Sequence, residues 1–399
     1  MGEKDISAVL FFLLSISIIF PLQLPIGGLG SNYASINSVD VVLFFLFLYY
    51  AFTFNSEKIR KFKITMPKIT AVLLIISGWI ILTSVIVSIR TNISILASSL
   101  WILKWFEGIG LFLMAQNYLT PKSGKLVFRS IFLSGIFLSA LSLPYYYIFE
   151  PFRLSFFFGN PNVLSTFLNL VIIMGVVTLI EETNYSSITC LTAIALAGTA
   201  LILTGSRTGI LGLVTSISIL TIVYGKNNAR RMLITYIFAG TLFSTVLILF
   251  SVPKFYFDRL TGWITFESGK LSLTDSGFAD PIRTRIRLID KAIELFNQYP
   301  VFGHGWYSSP SRIGYLDIHY TTLLAEMGVI GFLLFIILYI IVLKKWSEID
   351  KYSLIGTIGF VWFATLLIQS IGGNFPRIPQ ISFIYFLLLA AGAANMEER

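Results

Sequence analysis

The chain has 399 residues, 56% of them hydrophobic and only 12% charged. A water-soluble domain carries about 25% charged residues, so this balance excludes an ordinary soluble globule. The lone cysteine, Cys190, has no partner for a disulfide and no neighbours for a thiolate metal cluster.

In chain order, apolar runs alternate with short polar breaks. The runs are about 20 residues long, the length that a hydrocarbon core of about 30 Å demands. Backbone groups in lipid must be satisfied within their own segment, so continuous runs without period-two alternation predict helices and not a barrel. The first six lie near Ser7–Ile26, Val39–Phe54, Thr70–Ile89, Ile93–Tyr118, Ser130–Phe149 and Val163–Ile180. The next six lie near Ser187–Leu203, Gly209–Tyr224, Leu233–Val252, His319–Leu343, Leu354–Ser370 and Ile381–Ala394. The expected fold class is an all-α polytopic membrane protein with about 12 transmembrane helices.

Cations set the expected orientation. Lys58, Arg60, Lys61, Lys63 and Lys68 follow the second run, Lys122, Lys125 and Arg129 the fourth, Lys226, Arg230 and Arg231 the eighth, and Lys344, Lys345 and Lys351 the tenth. The short odd-numbered connections hold only Arg90, Arg153, Arg207 and Arg377. Positive charge accumulates in cytoplasmic loops, so both termini are expected in the cytoplasm, in a plasma or inner membrane. The net charge of +9 then reflects basic loops facing anionic lipid headgroups, with no nucleic-acid partner required. Glu3 and Asp5 beside Lys4, with no small-residue cleavage site after the first run, predict a retained first span and not a removed signal peptide.

One connection is far longer than a turn needs. The expected organisation is therefore residues 1–252 with the first nine spans, 253–318 as a large external loop, and 319–399 with the last three. Loops of that length are usually functional. Within it, Ile286, Ile289, Ile293 and Phe296 recur at helical spacing beside Arg285, Arg287, Asp290, Lys291 and Glu294, predicting an amphipathic helix from Arg285 to Phe296 that lies on the membrane or over the bundle. Pro300, Gly303 and Gly305 in YPVFGHG end it.

The candidate chemistry gathers on the external side. Arginine is costly at bilayer depth unless paired or solvated, and its permanently charged fork suits phosphate oxygens, so converging arginines point to an anionic ligand. Arg207 sits in GSRTG, where Gly205 and Gly209 allow a tight turn and Ser206 or Thr208 can cap the next helix. The plainer alternative is an arginine reaching for headgroups. Arg283, Arg285 and Arg287 crowd the start of the loop helix, where any one of them also fits a solvated face. His319 opens the tenth run, and a neutral imidazole can take a proton from a hydroxyl, although an isolated histidine more often has a structural role. Arg153 precedes FGNPN, whose Asn162 can cap the sixth span. Lys104 and Glu107 share a helix face in the fourth span, as an ion pair or a proton relay. His304 and His319 show no paired ligand spacing, and Asp258, Glu267, Asp275, Asp280 and Asp317 are scattered. No metal and no cofactor are expected.

Four ordered segments, Arg153 with GNPN, GSRTG, the run from Arg285 through YPVFGHG, and His319 followed by AEMGVIG, together resemble the O-antigen ligase and O-antigen polymerase superfamily of integral membrane glycan transferases. That resemblance covers Arg153 to Gly331. It implies a GT-C-like architecture and transfer of a glycan from a polyprenyl-diphosphate carrier to a lipid-linked or other glycan acceptor at the external face. It maps the family's functional residues onto Arg207, Arg285 and His319, with Arg153, Arg283, Arg287, Asn162, Ser206 and His304 as further candidates for binding diphosphate or glycan. Two positions depart from the family's habit. Tyr320 stands where Asn commonly follows the histidine, and Ile289 where Trp commonly follows the loop arginine. Ligase and polymerase are not separated by these residues. The rival from another class is a transporter or lipid-linked oligosaccharide flippase, which would gather its polar groups near the midplane.

Overall fold

A computed structural model describes residues 3–20, 23–25, 35–53, 64–91, 95–149, 153–181, 185–249, 265–267, 270–272, 280–308, 318–350 and 353–396. Each of the first seven apolar runs forms a helix: α1 (Glu3–Ile19), α2 (Ser38–Thr53), α3 (Pro67–Thr91), α4 (Ile95–Tyr118), α5 (Pro121–Phe149), α6 (Pro161–Ile180) and α7 (Ser187–Leu203). The remaining helices are α8 (Arg207–Leu249), α9 (Asp280–Gln298), α10 (His319–Asp350), α11 (Leu354–Gln369) and α12 (Pro379–Met396). Two small antiparallel ribbons, which hydropathy did not predict, pair Gln23–Pro25 with Ser35–Asn37 and Thr265–Glu267 with Lys270–Ser272.

Several helix starts have a local cause. Asn160 caps α6 by accepting from Asn162 N, with Pro161 at the first helical position, where its missing N–H costs nothing. This corrects the expectation that Asn162 is the cap. Ser186 accepts from Thr189 N at the head of α7 and Ser353 from Gly356 N at the head of α11.

Two long elements are not straight. A straight helix of 43 residues would run about 65 Å, twice a lipid core. In α8 the Tyr236 hydroxyl lies 3.4 Å from both Thr221 Oγ1 and Ile217 O, positions that a straight helix would hold more than about 20 Å away. The element is a helical hairpin, and its turn falls where the sequence places Lys226, Arg230 and Arg231 between two apolar runs. In α10 the backbone leaves helical geometry at Gly328, with φ 64° and ψ −174°. The His319 and Tyr339 rings then stand 5.9 Å apart, although residues twenty apart in a straight helix are separated by about 30 Å. The tenth run is thus a short arm, His319 to Met327, folded acutely against a longer one.

The turn at Gly328 is held by the segment after α9. Val329 N donates to Pro300 O at 2.8 Å, His304 N to Ala325 O at 3.0 Å and Gly305 N to Glu326 O at 2.8 Å. Trp79 Nε1 of α3 donates to Met327 O. α9 itself packs Ala292 and Leu295 on Ala325 of the short arm, a different face from the expected one, on which Ile286 and Ile293 are exposed.

Among the described residues, five helical stretches are long and apolar enough to cross a bilayer, and five shorter apolar helices accompany them. In α6, 94% of the apolar window is buried, against 28% in α3. α6 is therefore the bundle's centre, packed by α7, α8, α11 and α5, whereas α3 turns Leu74, Ile75, Leu82, Val85 and Ile89 outward. Apolar side chains spread over an outer surface in this way suit lipid and not water. The architecture is an all-helical, polytopic membrane-type bundle.

Candidate functional site

The site is built around the connection between α11 and α12, Ser370 to Asn374, of sequence SIGGN. Gln369, the last residue of α11, donates from Nε2 to Thr208 O at 3.0 Å, tying α11 to the start of α8. Gly372 completes the contact, since a Cβ there would collide with Thr208 Cγ2 and lie 3.9 Å from Arg285 Nη1. Arg285 Nη2 donates to Gly372 O at 3.3 Å. His319 N donates to Ser370 O at 3.2 Å, and His319 Nδ1–H to Asn374 Oδ1 at 2.7 Å. On the far side Tyr320 OH donates to Leu367 O at 2.7 Å. One five-residue turn thus receives Arg285, His319 and the residue beside Arg207.

Arg207 owes its position to the GSRTG turn. α7 ends at Leu203, Gly205 takes φ 56°, and Ser206 caps α8 by accepting from Gly209 N at 3.1 Å. Arg207 is the first helical residue, half-buried, at the positive end of the α8 dipole.

Behind this turn, Arg153, Asn162 and Ser206 satisfy one another. Arg153 donates from Nε to Thr204 O at 2.8 Å and from Nη2 to Asn162 Oδ1 at 2.9 Å. Ser206 Oγ donates to the same Asn162 oxygen at 3.0 Å and accepts from Ser165 Oγ at 3.0 Å. These three residues hold the GSRTG turn in place. His304 is fully buried, donates from Nε2 to Leu295 O at 2.8 Å and meets the Tyr299 ring edge-on. It pins the end of α9 and is not among the groups at Ser370–Asn374. Arg287 is exposed on α9. The side chains of Arg283, Asp258, Glu267, Asp275, Asp280 and Asp317 lie outside the described residues.

Four participants were missed by sequence reasoning. Tyr339 donates its hydroxyl to His319 Nε2 at 2.5 Å. Asn374 Oδ1 can only accept, so Nδ1 carries a proton, and in the neutral imidazole Nε2 is then the acceptor toward Tyr339. Glu326 and Arg377 form an ion pair at 2.5 Å, with 1% and 2% of their side chains exposed. Glu326 Oε2 also accepts from Tyr307 N at 2.7 Å, and the Arg377 guanidinium lies 4.0 Å from the centroid of the Trp306 ring. The dipeptide Gly372–Gly373 followed by Asn, Phe and Pro was a turn signal open to reading. Tyr339 had none, being one tyrosine inside an apolar run.

Lys104 and Glu107 pair at 3.1 Å, as their spacing suggests, and Lys104 also bonds Asp40 of α2. Lys104 and Arg377 line a cavity with Trp101, Trp105, Trp306 and Tyr307.

The model of the O-antigen ligase family matches residues 192–336, a stretch that contains Arg207, Arg285 and His319 and stops short of Tyr339 and Asn374. No curated protein matches the chain.

Proposed function

We propose that the protein is an O-antigen ligase-like glycosyltransferase, moving a glycan from a polyprenyl-diphosphate carrier to an acceptor hydroxyl at the external membrane face. The observation that carries this reading is the meeting of Arg285, His319 and the head of α8 on the single turn Ser370–Asn374. A transferase that displaces a diphosphate must stabilise negative charge on the leaving group, and preorganised guanidinium groups supply that stabilisation in a site where water is scarce. Arg207 and Arg285 grip the diphosphate at the positive end of the α8 dipole. His319 accepts the proton of the acceptor hydroxyl. No metal is required, because the arginines carry the compensating charge.

The accompanying topology has about 12 crossings, cytoplasmic termini and residues 253–318 outside. It sets the arginines at the face where a flipped carrier presents its diphosphate. A transporter reading is weaker, because the candidate groups converge on one turn between two helix ends and do not line a path.

The test is glycan transfer by purified protein in lipid, with a carrier-linked glycan and a panel of acceptors. Arg207→Ala, Arg285→Ala and His319→Ala are each expected to lower the rate on the order of 10²-fold or more, and excess EDTA to leave it unchanged. Properly inserted variants that keep the full rate would sink the assignment, and so would strict dependence on added Mg²⁺ or Mn²⁺. A single transfer identifies a ligase, whereas a ladder of products identifies the polymerase of the same superfamily.

A further inference from the structure

Transfer as proposed needs a proton to travel from the acceptor hydroxyl to His319, yet the imidazole is closed on both sides. It is fully buried. Nδ1 carries the proton given to Asn374 Oδ1 at 2.7 Å, and Nε2, the nitrogen with a free pair, is taken by the Tyr339 hydroxyl at 2.5 Å. An incoming hydroxyl reaches Nε2 either by displacing the phenol or by sending its proton through it.

The packing of Tyr339 favours passage. Its ring is wedged between Phe335 and Phe363, each 6.0 Å away between centroids, and only 6% of the residue is exposed. Swinging it aside would unpack α10 from α11. The same ring forms part of the wall of a small cavity, together with Trp105, Leu338, Ser382 and Tyr385. Trp105, Ser382 and Phe386 also line the neighbouring cavity, which is flanked by Trp101, Lys104 and Arg377. The two cavities share three walls, and an acceptor that enters between them comes up against the Tyr339 ring.

Resting on the transfer reading above, we propose that Tyr339 is a catalytic residue that meets the acceptor hydroxyl directly, with His319 and Asn374 as the base behind it. The acceptor O–H breaks as its proton passes to the Tyr339 oxygen, while the original Tyr339 O–H breaks and its proton forms the Nε2–H bond of His319. The acceptor oxygen's electron pair forms the new bond to the anomeric carbon, and the bond from that carbon to the diphosphate breaks with its pair leaving on phosphate. The amide oxygen of Asn374 holds the resulting imidazolium by its Nδ1–H. After product leaves, the imidazolium proton returns through Tyr339 to water. A chain of this kind polarises each bond along it, and it divides the labour spatially, with diphosphate on the Arg285 side of the Ser370–Asn374 turn and acceptor on the Tyr339 side.

The experiment measures single-turnover transfer by purified wild-type, Tyr339→Phe, His319→Gln and Arg285→Ala proteins in nanodiscs, in water and in mixtures with D₂O. Tyr339→Phe is expected to slow the step by about 10²-fold or more with its thermal midpoint and acceptor KM near wild type. The Tyr339→Phe/His319→Gln double variant is expected to be no slower than the slower single one, as for groups acting as a unit. The wild-type rate should curve against deuterium fraction, as two moving protons require. A Tyr339→Phe rate equal to or above wild type, with Arg285→Ala inactive, would overturn the relay alone and make the phenol a plug. A straight-line deuterium dependence of the wild-type chemical step, which needs no variant, would overturn it too. Full activity in Arg285→Ala as well would instead overturn the transfer reading beneath it.

Discussion

Glu326 and Arg377 are the most exposed to test at the scale of single residues. Both are buried, and Glu326 also accepts from the Tyr307 backbone while Arg377 covers Trp306. Removing one partner strands the other as an uncompensated charge, at a cost of about 3–5 kcal/mol. Glu326→Ala and Arg377→Ala are therefore expected to lower the thermal midpoint in detergent sharply, whereas a paired Glu326→Met/Arg377→Met variant recovers much of it. Gly372 is a subtler case. Any side chain there meets Thr208, so Gly372→Ala pushes the turn away from the head of α8 and moves the carbonyl that anchors Arg285. It should lose transfer by about 10-fold or more, the sensitivity expected of a small misplacement at a reacting centre, while melting close to wild type. The arginines and His319 were legible in the sequence because a charged or titratable group flanked by apolar runs is rare and costly. Asn374 and Tyr339 were not, since an amide in a turn and a tyrosine in an apolar run each have many ordinary explanations.

At the scale of elements, the decisive residue is Gly328. Its φ of 64° with ψ near 180° is a conformation almost confined to glycine, and forcing another residue into it costs about 1–3 kcal/mol. A Cβ at Gly328 would also strike Val301 O. Gly328→Ala is accordingly expected to open the angle between the two arms of α10, separate Tyr339 from His319 and abolish transfer, with protease sensitivity rising at the YPVFGHG segment. Hydropathy read this stretch as one span because both arms are apolar and helical, and a run of hydrophobic residues carries no mark of direction. The α8 hairpin had the opposite fate. Its basic turn residues announced two spans, and the Tyr236 contact with Ile217 and Thr221 brings those spans side by side. Cysteines at positions 221 and 236, with Cys190 replaced by Ser, should be joined by a short bifunctional thiol reagent. A straight helix would hold them about 22 Å apart and block the reaction.

For the whole molecule, the orientation inferred from Lys and Arg in alternate connections has a direct check. With Cys190 replaced, Arg287→Cys on the exposed face of α9 is expected to react with an impermeant maleimide on intact cells, and Arg230→Cys only after permeabilisation. The reverse pattern would place the arginines on the side away from the proposed chemistry. Around the buried α6 the bundle exposes an outer surface that includes Phe52, Ile89, Ile188 and Ile222, each more than about three-quarters exposed. Such a surface is stable in lipid, where no hydrophobic penalty attaches to it, and would drive aggregation in water.

By itself the sequence determined the class of the protein, the places of most apolar helices, the presence of α9 and the identity of the charged residues that gather at the site. These follow from the transfer cost of side chains and from helical periodicity, both properties of local stretches. Only the tertiary structure decided that α10 folds back at Gly328, that the Ser370–Asn374 turn receives Arg285 and His319, and that Tyr339 closes the imidazole. Those are contacts between residues far apart along the chain, and they depend on where glycines let backbones reverse or touch, which no pattern of hydrophobicity records.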